Sequence, residues 1–142
     1  MKYIDTNIII YALEEDPKYS EKCRKILKEI EEKDLEGGAS MLSMVEIIHV
    51  LQKHKHALDT GKNADIGGVI AAIEAIGLEW FDLSFAAIER AAKYDYNLGG
   101  ADRVHLATMD INSITEIISA DKDFDGIPGI KRIDPLDYSG KN

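Results

Sequence analysis

The sequence predicts an α/β protein, a three-layer α/β/α domain built around a parallel sheet of four or five strands. Short apolar runs of strand length alternate along the chain with longer amphipathic patterns of helical spacing. Strands that alternate with helices form parallel sheets with right-handed crossovers. Two of the strand-like runs also end directly in an acid, Asp5 and Asp121. Ligands bind at this carboxyl edge in open α/β sheets.

Five runs are predicted to be the strands. Tyr3 and Ile4 form the first, a buried strand that leads straight into an acid. The others are placed by their apolar content and by the glycine or acidic residues that bound them. They are predicted at residues 39–42, 77–83, 116–120 and 127–133.

The helices are predicted from apolar residues at helical spacing and from signals at their ends. The pair Gly37-Gly38 is expected to end a long amphipathic helix. Ser84 is expected to cap a helix that runs to about Asn97. The predicted helices run to residue 13, over 20–35 and 43–51, to residue 76, over 84–97, and onward from 99–100.

The length of 142 residues favours a single domain, expected at residues 1–138 and followed by a frayed tail at 139–142. No apolar run approaches the roughly 20 residues that a membrane span needs. Asp5 interrupts the first apolar segment too early for a signal peptide. We therefore expect a cytoplasmic protein without a membrane partner.

The net charge of -9 argues against a protein that coats duplex nucleic acid with a basic surface. It does not exclude nucleic acid, because a divalent cation can bridge carboxylates to phosphate. Cys23 is the single cysteine of the sequence, which excludes an intrachain disulfide and a multi-cysteine zinc site. We expect it to be a buried core thiol.

Four isolated acids stand where a sheet edge would collect them, and each also has a simpler explanation. Asp5 or its neighbours would serve as a helix N-cap, and Ser43-x-x-Glu46 matches a capping box. Asp102 would complement the dipole of its helix, and Asp121 would belong to a polar turn. The prediction of a site therefore depends on the four acids together.

The surroundings of Glu46 favour a site. It lies within a nearly unbroken apolar helix, and an ionised carboxylate is costly to bury without a compensating partner. Oxygen-only ligands favour Mg²⁺ or Mn²⁺ over zinc or copper, and such acid clusters are typical of metal-assisted phosphodiester cleavage. A general base, if one is used, would be an acid such as Asp121. His105, one turn after Asp102, is expected to hydrogen-bond it.

A small basic cluster, Lys53-His-Lys-His56, follows the helix that carries Glu46. Cations at a helix C-terminus are favourable by themselves, and this is the simpler explanation. The histidines of this region do not share one helical face, which disfavours a histidine metal site. Contact with a phosphate backbone stays open as an alternative.

Four short motifs follow one another along nearly the whole chain. They are Ile4-Asp-Thr-Asn-Ile8, Ser43-Met-Val-Glu46, Ala101-Asp-Arg-Val-His-Leu-Ala-Thr108 and Ser119-Ala-Asp-Lys-Asp-Phe124. Each is weak alone, but together and in this order they resemble the PIN domain family, and most closely its small VapC-type toxins. The stretch 53–68 matches no motif, so substrate contacts there are not carried over.

The resemblance implies a function and a set of site residues. PIN domains are typically Mg²⁺- or Mn²⁺-dependent ribonucleases that act on single-stranded RNA, and VapC-type members are commonly homodimers inhibited by a cognate antitoxin. Asp5, Glu46 and Asp102 match the core metal-binding acids. The other matched positions are Asp121 as a fourth acid, Asp123 as an auxiliary acid, and Asn7 and Ser119 as hydrogen-bonding support.

Two other classes of function are disfavoured or opposed by the sequence. A phosphoacceptor domain of the receiver type needs paired acids after the first strand and an acceptor Asp after the third, and the haloacid dehalogenase type needs an acid two residues after Asp5, where Asn7 stands. Both types are disfavoured. The second alternative is a non-catalytic PIN-like module that binds RNA or protein. The intact set of acids argues against it.

Overall fold

The computed structural model describes residues 1–53 and 65–140. Within them lie five parallel strands, β1 (Lys2–Ile4), β2 (Gly37–Ser40), β3 (Glu79–Phe81), β4 (Glu116–Ile118) and β5 (Lys131–Ile133). They form one sheet in the order β3-β2-β1-β4-β5. The central strand β1 aligns Tyr3 with Gly38 of β2 on one side and with Ile117 of β4 on the other.

Six helices surround the sheet within the described ranges. They are α1 (Thr6–Glu14), α2 (Ser20–Glu31), α3 (Leu42–Lys53), α4 (Ile66–Ala75), α5 (Phe85–Ala92) and α6 (Gly100–Ile111), and a 3₁₀ turn covers Lys122–Phe124. The prediction of a parallel α/β fold is confirmed. His54 to His56, residues 57–64 and residues 141–142 lie outside the described part of the chain, and so do the predictions made for them.

Both faces of the sheet are covered by helices. Side chains alternate between the faces of a strand, so Tyr3 and Ile4 enter different cores. The core beneath helices α1 to α4 includes Ile4, Ile8, Ile26, Ile47, Ile73 and Ile118. The core on the other face includes Tyr3, Leu106, Met109, Ile117 and Phe124. Ala87 and Ala91 of α5 pack closely against Ala107 of α6.

The Gly37-Gly38 pair does not end helix α2, as the sequence predicted, but begins strand β2. A Cβ atom on Gly37 would lie 2.8 Å from Ile30 Cδ1, and one on Gly38 would lie 2.7 Å from Phe81 Cε2. A Cβ atom at either position would force these neighbours to shift, so glycine permits the close packing on both faces of the strand. Helix α2 ends earlier, at Glu31, and Lys33 takes the left-handed conformation after it.

Helix α5 ends at Ala92, earlier than the predicted Asn97. The following residues form a loop because the guanidinium of Arg103 takes the backbone acceptors of this segment. It donates to the carbonyl oxygens of Ala91, Tyr94, Tyr96 and Leu98, at distances from 2.6 to 3.3 Å. Arg103 thus fixes the chain that enters helix α6.

Other boundaries differ by a few residues. The last strand, β5, is limited to Lys131–Ile133, because Gly129 makes a turn with φ of +80° just before it. Cys23 is buried and unpaired, as predicted. Each helix in the described ranges is too short or too polar to cross a bilayer. The predicted domain limit at residue 138 and the frayed tail stay predictions.

Candidate active site

Asp5 stands where strand β1 meets helix α1, at the carboxyl edge of the sheet. It occupies the N-cap position of α1, but its side chain makes no capping hydrogen bond. The carboxylate instead accepts hydrogen bonds from Ser119 Oγ at 2.5 Å and from Asn7 Nδ2 at 3.2 Å. Asn7 Nδ2 also lies 3.3 Å from Ser119 Oγ. The structure thus places both predicted supporting residues beside Asp5.

The side chain of Asp5 is strongly buried, and 5% of the residue's surface is exposed. Burial raises its pKa above the ordinary value, and the hydrogen bond from Ser119 opposes this shift. A charge on Asp5 is therefore unfavourable without a compensating partner.

Glu46 projects from helix α3 and is held through one oxygen. Its Oε1 accepts from Thr6 Oγ1 at 3.0 Å and lies 2.6 Å from His105 Nε2. Burial alone would raise the pKa of Glu46, but the hydrogen bonds from His105 and Thr6 outweigh burial and lower it. Ser43 is itself buried, with its Oγ 2.8 Å from Thr6 Oγ1. The residues of the predicted capping box therefore meet Thr6 of the first motif.

Asp102, Asp121 and Asp123 form a second group of acids. Asp102 lies in the first turn of α6, and Asp121 follows β4. One carboxylate oxygen from each of the three lies within 4.8 Å of the other two. The predicted polar turn also exists, since Asp121 Oδ1 accepts the backbone N–H of Asp123 at 2.9 Å. Asp123 is the exposed member of this group.

Asp102 is the acid most affected by this crowding. Its pKa rises from the ordinary 3.8 to about 6, first because of burial and next because the charges of Asp5 and Asp121 repel its own. A cation would relieve both causes, since it replaces lost hydration and neutralises the neighbouring charges.

Asp5, Glu46, Asp102 and Asp121 share one open cleft of about 570 Å³, and Asp123 lies outside its lining. Its lining includes Asp5, Thr6, Asn7, Glu46, His49, Asp102 and Asp121. We name its two sides by their acids. The hydrogen-bonded half is Glu46 with Thr6 and His105, and the crowded half is Asp102, Asp121 and Asp123. Asp5 interacts electrostatically with both halves.

The donor set fits a hard divalent cation. The four predicted acids contribute carboxylate oxygens to one cleft, and oxygen ligands are those that Mg²⁺ and Mn²⁺ prefer. The three oxygens of the crowded half are close enough together to contact one ion.

The prediction that His105 hydrogen-bonds Asp102 is wrong. Its ring bonds Glu46 through Nε2 and contacts Tyr3 through Nδ1. Helical spacing from Asp102 suggested the wrong partner because Glu46 and Tyr3 are distant in sequence. Sequence reasoning also missed Thr6, whose position directly after Asp5 in the first motif was the available signal. No local signal marked Tyr3.

Comparison with known sequences decides the family. Residues 2–130 match the family described as PIN domain. The chain belongs to the PIN domain family. It is similar to VapC ribonuclease Mb1869c of Mycobacterium bovis and to Ribonuclease VapC13 of Mycobacterium tuberculosis. Each is 29% identical over 140 residues, which cover 94% of this chain and 99% of the relative.

Solved structures show the same PIN fold. A toxin-antitoxin complex from Klebsiella pneumoniae superposes with a TM-score of 0.69 at 20% identity, over 95% of this chain and 98% of that one. VapBC2 from Rickettsia felis, bound to a DNA fragment from its promoter, gives a TM-score of 0.64 at 15% identity, over 94% and 98%. The receiver and dehalogenase alternatives are set aside by the family match.

Proposed function

We propose that this PIN domain is a divalent-cation-dependent endoribonuclease that cleaves single-stranded RNA. The observation that carries the proposal is the convergence of Asp5, Glu46, Asp102 and Asp121 on one open cleft at the carboxyl edge of the sheet. The similarity to two relatives named as ribonucleases supports the same reaction class.

Mg²⁺ or Mn²⁺ would be held by the four acids of the cleft, with Asp123 as an auxiliary ligand at its rim. When bound, such an ion supplies Lewis-acid stabilisation of phosphate charge and lowers the pKa of water. The net charge of -9 would otherwise repel the RNA backbone, so we expect the ion to be needed for substrate binding as well as for cleavage.

The chain's own residues prepare the cleft in three ways. Ser119 and Asn7 fix the carboxylate of Asp5 by hydrogen bonds. Thr6 and His105 fix one oxygen of Glu46. The crowded half presents acids to the open cleft, and Asp121 is the carboxylate that we assign to accept a proton from the attacking water. This scheme involves no covalent intermediate with a side chain.

The experiment is cleavage of a fluorescent single-stranded RNA with Mn²⁺, with Mg²⁺ and with chelator. We expect cleavage with either ion and none with chelator. Asp5→Asn and Asp102→Asn should each lower the rate by at least about tenfold to a hundredfold. Asp110→Asn is the matched control, because Asp110 lies on the same helix as Asp102 and bonds Arg90 instead of lining the cleft. RNA binding without cleavage would overturn the proposal in favour of a non-catalytic PIN-like module.

We propose further that the protein is the toxin of a toxin-antitoxin pair, acts in the cytoplasm and forms a homodimer. The support is the similarity to VapC-named relatives and the shared fold with toxin-antitoxin structures. A small adjacent reading frame with a DNA-binding pattern should encode a protein that suppresses cleavage when purified with this chain. If that protein leaves the cleavage rate unchanged, the toxin assignment fails while the ribonuclease assignment stands.

Light scattering tests the dimer separately. The expected mass at micromolar concentration is twice the 15.8 kDa of the monomer. A monomeric mass would contradict the dimer and would leave the chemistry of the cleft unaffected.

A further inference from the structure

A chain of buried polar groups leads from strand β2 to Glu46. The backbone N–H of Ser40 donates to the hydroxyl oxygen of Tyr3 at 3.0 Å. The same hydroxyl lies 2.5 Å from His105 Nδ1. His105 Nε2 lies 2.6 Å from Glu46 Oε1. Tyr3 is fully buried and His105 is 1% exposed, so water does not replace these partners.

The direction of these hydrogen bonds follows from donor and acceptor inventory. A backbone N–H can only donate, so the Tyr3 oxygen accepts from Ser40. The Tyr3 proton is buried and needs an acceptor, which His105 Nδ1 provides. With Nδ1 as acceptor, the proton of the neutral imidazole is on Nε2. His105 therefore donates to Glu46 Oε1.

Packing also holds the Tyr3 hydroxyl against the His105 ring. A phenol keeps its proton at neutral pH, so the Tyr3 hydroxyl remains a donor. The edge-on packing of the Tyr3 and His105 rings, with centroids 5.6 Å apart, holds the two groups in register.

The arrangement restricts one oxygen of Glu46 and leaves the other for a ligand. Thr6 and His105, on different helices, both approach Oε1. Two donors on one oxygen limit rotation of the carboxylate, and Glu46 lines the cleft. A buried histidine that only filled the core would not need a ring nitrogen aligned with the carboxylate of Glu46.

We infer that Tyr3 and His105 are positioning residues, which hold the Glu46 carboxylate through a relay from the Ser40 backbone and reserve Oε2 for the cation. The relay is independent of the reaction, and only its consequence for cation binding rests on the proposed function. Residues that orient metal-binding side chains affect metal affinity without touching the ion.

The first test observes the relay directly in the metal-free protein. Long-range ¹H–¹⁵N correlation of the His105 ring at neutral pH reports which nitrogen carries the proton. We expect a single tautomer with the proton on Nε2, and a loss of this preference in Tyr3→Phe, which removes only the hydroxyl. A proton on Nδ1, or on both nitrogens, would overturn the relay.

The second test uses Mn²⁺ affinity, measured by calorimetry without RNA. Glutamine at position 105 carries its amide nitrogen about as far from Cα as Nε2, whereas asparagine carries it at the distance of Nδ1. His105→Gln should therefore keep the affinity within about threefold, and His105→Asn should weaken it about tenfold to a hundredfold. Equal affinities for the two variants would overturn the positioning role.

Leu106→Val is the matched control for damage to the core, because Leu106 is buried on the same helix one residue further on. We expect it to lower the melting temperature and to leave the Mn²⁺ affinity of the folded protein unchanged. If it weakens binding as much as His105→Asn does, the effect is general core damage and the inference fails. If the unmutated protein does not bind Mn²⁺, the proposed function fails together with the consequence for the cation, and the tautomer still decides the relay.

Discussion

The two halves of the cleft stabilise their acids in opposite ways. In the hydrogen-bonded half, donors from Thr6 and His105 meet Glu46 and lower its pKa. In the crowded half, Asp102 is partly buried among other acids, and its pKa rises to about 6. Under the proposed function, Glu46 is a ligand that is oriented before the cation binds, whereas the acids of the crowded half repel one another until the cation binds.

The largest expected effect is on catalysis in the hydrogen-bonded half. Glu46→Gln should reduce RNA cleavage by at least about tenfold to a hundredfold, because the amide loses the negative charge that a cation needs. Single-turnover cleavage with Mn²⁺ measures it, with Asp110→Asn as the control. Asp121→Asn should reduce the rate as strongly, because an amide cannot accept the proton of the attacking water. If Glu46→Gln cleaves RNA at the rate of the unmutated protein, Glu46 has a structural role and is not a metal ligand.

The second prediction concerns metal-linked stability in the crowded half. Mn²⁺ at a hundredfold excess over its dissociation constant should stabilise the unmutated protein by roughly 2.7 kcal/mol. Asp102→Asn should gain clearly less, because it removes a ligand whose charge is poorly compensated. Thermal melts with chelator and with Mn²⁺ measure both values. Equal shifts for the two proteins would mean that Asp102 acts only at its helix terminus.

The third prediction uses pH to separate the halves without metal. The folded pKa of Asp102 is raised from 3.8 to about 6, so the folded state binds more protons than the unfolded state in this window. The contribution of the Asp102 carboxyl to the free energy of unfolding is present below about pH 4 and is lost as the pH rises through about 6. The lowered pKa of Glu46 has the opposite sign, since its contribution is lost as pH falls below its ordinary 4.5.

Metal-free Asp102→Asn should therefore melt at or above the temperature of the unmutated protein at pH 7, and the two should converge near pH 4. Glu46→Gln should melt below the unmutated protein at pH 7, because the neutral side chain loses charge-assisted hydrogen bonds. Urea titrations at several pH values in chelator provide the free energies of unfolding. If Asp102→Asn is the less stable of the two variants at pH 7, the comparison between the halves is wrong.

The smallest expected effect is at the rim. Asp123 is exposed, so water already compensates its charge. Asp123→Asn should change cleavage by less than about threefold. Rates at limiting Mn²⁺ are the sensitive measurement, since an auxiliary ligand affects metal occupancy first. A loss as large as that of Asp102→Asn would make Asp123 a principal ligand.

The sequence was informative wherever the relevant signal was local. Asp5 and Asp121 directly follow strand-like runs, and the rule for parallel sheets predicts that they share an edge with the helix starts that carry Glu46 and Asp102. The structure places these acids around one cleft. Their roles as ligands remain predictions that the variants above test.

What the sequence did not reveal depends on contacts between distant segments. Gly37-Gly38 has the pattern of a helix end, and only the packing of Ile30 and Phe81 against it shows why it begins a strand. The role of Arg103 depends on its hydrogen bonds to four backbone carbonyl oxygens, and its place in the sequence does not indicate them. Tyr3 and His105 are joined across 102 positions of sequence, and nothing local to either residue indicates this contact.

The pairing of β1 with β4 has a consequence for the order in which the protein is made. Tyr3 of β1 aligns with Ile117 of β4. Strand β1 is therefore synthesised long before the strand that it pairs with at the centre of the sheet. Synthesis delivers Asp5 and Glu46 long before Asp102 and Asp121, and long-range parallel pairing is slow to form. A partly translated chain therefore exposes the hydrogen-bonding partners of the cleft separately. The cleft can therefore form only after Asp102 and Asp121 have left the ribosome.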